Sequence, residues 1–223
     1  MINGKKLIEI RRAGFVNKGA ELMLYAILEK IKKEFPDAEF AMETNRGSAP
    51  YKNRALLGLY QKPRFFRLGI QFGQLFEYVP NIAKEMLGIV TDTQVDIVID
   101  AAGFAYSDQW GVHNSRELAD SCVRWKKNGT KVILMPQAFG PFSKKPIDKF
   151  IKIAIDNSDL VFARERTSYD YLVGIVGERP NVKMAVDFTN VVEGFVPEYF
   201  DQEANRFCIV PNYRMIDKTS KAD

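Results

Sequence analysis

Val95–Ile99 reads VDIVI and runs on into Asp100-Ala101-Ala102-Gly103-Phe104. Consecutive β-branched apolar residues fit a parallel strand buried on both faces. The glycine a few residues on fits a tight turn at the strand's carboxyl end. Upstream, Lys6–Arg11 (KLIEIR) predicts a first strand, and a loop over 13–19 leads to a helix from about Ala20. That helix carries Met23, Leu24, Ile27, Leu28, Ile31 and Phe35 at three- and four-residue steps until Pro36 stops it. Ala38–Glu43 alternates like a short second strand. Gly47, Ser48, Pro50 and Pro63 then break the pattern, and no regular structure is expected before about Phe65.

Downstream, a helix is expected from about Ser115, with Leu118, Ala119, Cys122, Val123 and Trp125 on one stripe. Lys131–Met135 reads as a buried strand ending at Pro136, and a loop over 137–142 precedes a helix at about Pro146–Ile155. Leu160–Ala163 is a strand, Arg166–Val173 a helix and Val182–Val186 a last strand closing at Asp187. Strand and helix alternating in this way give a parallel sheet with helices on both faces. The fold class is therefore α/β, a doubly wound, Rossmann-like parallel sheet over residues 1–190. Residues 191–206 read as a linker, and Phe207–Val210 (FCIV) as the first strand of a second domain begun at 207–223.

A chain of 223 residues with 46% hydrophobic and 27% charged residues can bury one sizeable core. Cys122 and Cys208 fit small buried hydrophobes, and without a CxxC or Cys/His ligand spacing no metal site is expected. The N-terminus lacks an apolar signal region, and no apolar stretch approaches the ~20 residues of a spanning helix, so a cytoplasmic protein is expected. The net charge of +4 is uneven. From Thr44 to Phe76 there are six basic residues, six aromatics and no acid. Arg64, Phe65, Phe66 and Arg67, at helical spacing to Phe72 and Phe76, read as an amphipathic membrane or acceptor surface for an anionic partner. The other reading of this stretch is an aromatic core with a solvated basic rim. No nucleic-acid motif accompanies it, and no nucleic-acid partner is expected.

Ligands of open α/β sheets bind where strands deliver their carboxyl ends. Those ends carry Asn17, Gly19 and Glu21, then Gly103–Asp108, Gln137–Pro141, Arg164–Ser168 and Asp187. The loop at Asn17–Gly19 precedes a helix N-terminus, which favours phosphate or carboxylate. Asp108 is a candidate general base if a closed cleft raises its pKa; the alternative is a turn-forming loop residue. His113 is a weaker acid–base candidate in a polar loop, and Tyr106 and Trp110 could stack on a sugar. Arg164 either pairs with an anion or bridges to Glu165 or Asp187. Gln137 and Gly140 shape the cleft.

The ordered set Asn17-x-Gly19-x-Glu21, Asp100-Ala-Ala-Gly103 with Asp108, Gln137-x-x-Gly140-Pro141, Arg164-Glu165-x-x-Ser168 and Asp187-Phe188 resembles the polysaccharide pyruvyl transferase family over about residues 7–190. That family shows an N-x-G-D/E loop, a glycine-rich turn, a Q-x-x-G-P loop, an R-D/E-x-x-S helix start and a closing D-P/F. Alanine at 101 and 102 departs from its glycine turn, and Ala20 from an acid often found after the first glycine. The resemblance implies the N-terminal half of a GT-B-type two-domain fold. It implies transfer of pyruvate from phosphoenolpyruvate, with no cofactor, to a sugar of a capsule or exopolysaccharide or of its polyprenyl-diphosphate-linked precursor, forming a ketal. An inner-leaflet membrane surface is then a partner, and residues 1–223 alone are expected to be inactive. Two other functions remain open at this point: a GT-B glycosyltransferase using a nucleotide sugar, and a non-catalytic acceptor-binding module.

Overall fold

A computed structural model describes residues 4–45, 47–67, 70–201, 203–204, 207 and 209. In chain order its elements are β1 (Leu7–Arg11), α1 (Lys18–Glu34), β2 (Glu39–Glu43), α2 (Tyr51–Leu56) and β3 (Tyr60–Lys62). A small antiparallel pair, β4 (Phe66–Arg67) and β5 (Ile70–Gln71), is followed by α3 (Asn81–Met86), β6 (Ile97–Asp100) and β7 (Phe104–Tyr106). The remainder is α4 (Val112–Lys127), β8 (Lys131–Phe139), α5 (Ile147–Asp156), β9 (Leu160–Ala163), α6 (Arg166–Val176) and β10 (Val182–Met184).

Seven strands form one parallel path in the order β10-β9-β8-β6-β1-β2-β3, and β7 pairs with the far end of β8. From β1 the chain winds outward through β2 and β3, then crosses back to β6 and winds the other way. The reversal lies between β1 and β6. Alternation along the strands divides the core accordingly. Leu7, Ala41, Val98 and Val132 pack with Leu118, Cys122 and Trp125 of α4 and Ile147, Ile151 and Ile155 of α5. Ile8, Ile10, Phe40, Met42 and Ile99 pack on Leu24, Ile27 and Leu28 of α1. Helices thus cover both faces, as a doubly wound sheet requires, and each fully buried aliphatic side chain contributes about 1.5–3 kcal/mol.

Local chemistry sets the ends. Asn17 caps α1 by accepting from the Gly19 and Ala20 amides, so the helix starts at Lys18, ahead of the expected Ala20. Phe35, preceding Pro36, leaves the helical region at φ −133°, ψ 76°. Four expectations need correction. The stretch before Phe65 contains α2 and β3, because Pro50 opens a helix one and a half turns long and Gly58, at φ 68°, closes it; so short a helix leaves little periodicity to read. Residues 65–76 do not form one amphipathic helix but β4, β5 and a 3₁₀ turn over Phe72–Tyr78, consistent with glycines at 69 and 73. β8 does not stop at Pro136; it continues to Phe139 across a register shift between Leu134 and Gln137, where a missing proline N–H is tolerated. α4 begins at Val112 after Gly111 at φ 73°, which puts His113 in a helical turn instead of a loop, and Val123 lies off the buried stripe.

The chain divides into two compact units, Met1–Val192 and Glu193–Asp223. The strand expected at Phe207–Val210 and the domain start at 207–223 fall outside the described residues, except for Phe207 and Ile209.

Gly140, just past β8, illustrates how tightly the strand ends are packed. It has φ 77°, and a Cβ there would lie 2.5 Å from Cδ2 of Tyr171 on α6. Gly140→Ala is expected to destabilise the fold by about 2–4 kcal/mol in urea titrations, the sum of overpacking and left-handed strain. In a Tyr171→Ala background, which removes the 2.5 and 2.7 Å ring contacts and leaves the Cβ contact at 3.1 Å, the same change should cost little more than the strain, about 1–2 kcal/mol. An equal loss in both backgrounds would rule out the clash.

Candidate functional site

Above the carboxyl ends of β1 and β2, beside the reversal and bordered by Ala102 beyond β6, lies a crevice of about 360 Å³. This is where an open α/β sheet binds its ligands. Arg12, Gly14 and Asn17 come from the loop after β1, Glu43, Asn45 and Ser48 from the segment after β2, Arg64 from beyond β3, and Ala102 from beyond β6. The two loops are tied together. The Phe15 amide donates to Ser48 O at 2.7 Å, and a Cβ on Gly14 would come within 2.8 Å of that same oxygen. Asn45 Oδ1 accepts from the Gly47 and Ser48 amides at 2.9 and 3.1 Å, and Asn17 Oδ1 from the Gly19 and Ala20 amides at 2.9 and 3.2 Å. The N-terminus of α1 therefore spends two of its amides on Asn17, which leaves less for an anion than the sequence suggested.

Beneath the crevice lies a network of buried charge. Arg11 is wholly buried, with Nη2 2.5 Å from Glu117 Oε1, Nη1 3.5 Å from Asp100 Oδ2 and Nε 3.5 Å from Glu43 Oε1. Its guanidinium lies 4.6 Å from the centre of the Trp125 ring. Arg12, at φ 56°, donates to Glu117 Oε2 at 2.9 Å and stands over the Tyr106 ring. Arg64 donates to Glu43 Oε2 at 3.0 Å. Lys62 pairs with both Glu9 and Asp92, and Asp92 accepts from Arg124 Nε at 2.6 Å and Trp125 Nε1 at 3.0 Å. Burial alone would raise the pKa of Glu9, Asp92 and Glu117. For Glu117 the charges of Arg11, Arg12 and Arg64 outweigh burial and hold it down at about 2, and Lys62 with Arg124 likewise depresses Asp92. For Glu9 burial wins over Lys62 and Arg11 and raises it to about 7.

The other sequence candidates occupy the neighbouring strand ends. Gly103 has φ 65°, and a Cβ there would sit 3.2 Å from Met23 Cε. Its carbonyl accepts from the Ala138 amide at 2.8 Å. Asp108 Oδ2 accepts from the Ser143 amide and hydroxyl, and Oδ1 from the Lys144 amide at 2.9 Å. These bonds lower its pKa, the reverse of the raised value expected for a base in a closed cleft. Tyr106 cannot stack on a ligand: it is fully buried and donates to Asp100 Oδ2 at 2.8 Å, whereas Trp110 is exposed beside Phe104. His113 is exposed on α4. Gln137 is buried, its Nε2 3.5 Å from Asp100 Oδ1. Arg164 bridges to Asp187 Oδ2 at 3.1 Å; burial raises the Asp187 pKa, but the hydrogen bonds from Thr189 and the charge of Arg164 outweigh it and hold Asp187 below its ordinary value. Glu21 pairs with Lys18 at 2.5 Å. Arg64 joins the crevice instead of standing on an outer surface, and Phe65 is exposed next to it. The side chains of Phe66 and Arg67 lie outside those described.

Arg11, Arg12, Glu43, Asn45 and Glu117 were missed from the sequence. A signal existed for Arg11: Glu9 and Arg11 alternate with Ile8 and Ile10 in the first strand, and a central strand cannot turn that charged face to water. Among the described residues no group of three or more His, Cys, Asp and Glu side chains could hold a metal ion, and no helix is long and apolar enough to cross a membrane.

Glu9 should make stability depend on pH. Its folded pKa, about 7, lies above its ordinary 4.5, so the folded chain binds this proton more tightly and stability falls as pH rises from about 4.5 through 7. Glu117, depressed, loses its contribution only at more acidic pH. Urea titrations at pH 5 and pH 8 should show a fall on the order of 2–3 kcal/mol that Glu9→Gln removes. The same slope in both proteins would exclude Glu9 as its source.

Residues 17–223 match the family model for polysaccharide pyruvyl transferase. No curated protein matches the chain significantly. Among solved structures the chain is similar to HepE of Anabaena in complex with UDP, at TM-score 0.46 and 14% identity over 81% of this chain and 43% of that one. It is similar too to the same protein with UDP and glucose, at TM-score 0.47 and 14% identity over 82% and 44%, and to a UDP-N-acetylglucosamine 2-epimerase, at TM-score 0.43 and 13% identity over 87% and 53%. The chain thus spans less than half the length of the HepE structures. With the family model matching nearly all of it, the chain belongs to the polysaccharide pyruvyl transferase family.

Proposed function

We propose that the whole protein transfers pyruvate from phosphoenolpyruvate to two hydroxyls of a sugar in a polysaccharide or its lipid-linked precursor, and that the crevice over the ends of β1 and β2 receives that sugar. In the overall reaction both acceptor oxygens bond to C2 of the donor and the C2–O bond to phosphate breaks. One hydroxyl proton ends on C3, making a methyl group, and the other leaves with inorganic phosphate.

The observation that carries the acceptor assignment is the crevice's balanced polar wall. Arg12, neutralised from beneath by Glu117, and Arg64, paired with Glu43, line the crevice together with Glu43 itself, so the site offers fixed donors and acceptors without a strong net charge. That suits sugar hydroxyls better than the phosphates of a nucleotide. Asn17 and Asn45, both in the crevice lining, have committed their Oδ1 atoms to backbone amides, which leaves Nδ2 as the side-chain group each has to offer a hydroxyl. Glu43 is the carboxylate that lines the crevice and so the one placed to take a hydroxyl proton, its Oε2 3.0 Å from Arg64 and its Oε1 3.5 Å from Arg11, whereas Asp108 lies outside that lining. A lipid-linked acceptor would be met at a membrane surface, and the strongly exposed Ile82 and Met86 of α3 suit a lipid-facing side.

The test uses the full-length protein with phosphoenolpyruvate and a panel of acceptor oligosaccharides, reading phosphate release and the mass of a ketal-linked pyruvate on the sugar. Glu43→Gln should lower turnover about 10²–10⁴-fold, and because it also takes a carboxylate from the buried Arg11 a parallel urea titration separates lost stability from lost catalysis; Asn17→Ala should chiefly raise the acceptor KM. Residues 1–223 alone should stay at background, because positioning donor against acceptor supplies ~7–11 kcal/mol of barrier lowering. Wild-type turnover by Glu43→Gln would remove Glu43 from the reaction, and turnover by residues 1–223 would overturn the division of labour.

A further inference from the structure

Across Arg64 from the crevice lies a second cavity, of about 700 Å³, in the size range of small-molecule sites. Its wall is almost entirely apolar, built from Pro63, Phe65, Leu75, Phe76, Leu87 and Ile89. Phe65, Leu75 and Leu87 remain 57%, 59% and 64% exposed, so much of this surface faces water in the absence of an occupant. Set into the same wall is Arg54, only 4% exposed.

Arg54 differs from the charges beneath the crevice. Arg11 meets Glu43, Asp100 and Glu117, and Lys62 meets Glu9 and Asp92. Arg54 has no carboxylate within 4.0 Å among the described residues; its Nη1 donates to the Glu43 carbonyl oxygen at 3.0 Å, and its Nε has no hydrogen-bond partner. Burial without a counter-charge holds its pKa below the ordinary arginine value. A buried cation left in this state is strongly unfavourable unless an anion completes it.

We propose that this cavity binds a phosphate ester of an apolar alcohol, the hydrocarbon lying on the Leu75–Leu87 wall and the phosphate on Arg54. A guanidinium matches phosphate oxygens in two-pronged geometry. Inorganic phosphate would leave the wall wet, and a plain alcohol would leave Arg54 unmatched; the ester satisfies both. Arg64 lines this cavity and the crevice alike, so one ligand can occupy the two together. On the acceptor reading given above, on which this last step rests, the cavity holds the anionic carrier end of a carrier-linked sugar while the sugar lies in the crevice.

Calorimetric titration of the full-length protein with monomeric decyl phosphate, decanol and inorganic phosphate tests the site without any turnover. Decyl phosphate should bind at least ~10-fold more tightly than either of the others. Arg54→Gln should reduce it to the level of decanol, and Leu75→Gln, a neutral polar change at an exposed position that folding tolerates, should weaken decyl phosphate while leaving inorganic phosphate unchanged. Equal affinity for decanol and decyl phosphate, an Arg54→Gln protein that binds like wild type, or binding to anionic vesicles with none to the monomeric ester would each overturn the proposal. Should Arg54→Gln fail to fold, the three-ligand comparison and Leu75→Gln still decide. Pyruvyl transfer to a free sugar without decyl phosphate binding would sink this inference alone; decyl phosphate binding without pyruvyl transfer would sink only the reading of the reaction.

Discussion

Arg11 ends the central strand with its guanidinium wholly enclosed, and its position ties most of the molecule together. Removing such a charge from water costs several kcal/mol, recovered only when carboxylates surround it in good geometry. Here they come from three elements: Glu43 at the end of β2, Asp100 at the end of β6 and Glu117 on α4, with the Trp125 ring of α4 stacked against the cation. Moving α4 along the sheet, or slipping β6 by one residue against β1, would take a carboxylate away from Arg11. The apolar contacts of the same face are less selective, because aliphatic side chains tolerate small shifts. The hydrophobic core supplies most of the stability, and the charge cluster fixes the arrangement.

The same carboxylates reach upward. Glu117 uses one oxygen for Arg11 below and the other for Arg12 in the crevice wall, and Glu43 divides its oxygens between Arg11 and Arg64. The crevice therefore inherits its geometry from the core, and its side chains lose little rotational freedom when a ligand arrives. Arg12 pays for this position with a left-handed backbone at φ 56°, which the paired contacts on its side chain must offset.

Much of the architecture was legible because it rests on period and punctuation. Ile97-Val98-Ile99, the helical stripe from Met23 to Ile31 and the Pro36 stop each reflect a single local rule, and the family motifs fall at the strand ends those rules define. What escaped depends on more than one segment. The helix over Tyr51–Leu56 is too short to show a period, and β8 crosses Pro136 only because neighbouring strands accept a register shift there. The site was legible as a set of loops but not as a set of partners. Asp108 looked free to act as a base until the 143–144 loop folded over it, Tyr106 looked like a stacking platform until Asp100 took its hydroxyl into the core, and the carboxylate that does line the crevice, Glu43, carries no local signature.

The distribution of compensated and uncompensated charge then separates the two concavities at this edge of the sheet. In the crevice each arginine has a carboxylate within hydrogen-bonding reach, so an incoming anion would compete with a partner already in place and meet a repelling carboxylate besides. A neutral polyol faces neither penalty, since hydroxyls can both donate to the carboxylates and accept from the guanidiniums and amides. Around Arg54 the balance is reversed: among the described residues its charge is met by a backbone carbonyl and no carboxylate, and the wall beside it is hydrocarbon. A neutral polyol there would gain one cation and wet an apolar surface. Since Arg64 borders both spaces, their opposite preferences read most simply as the two ends of one ligand, a polar uncharged head and an anionic apolar tail.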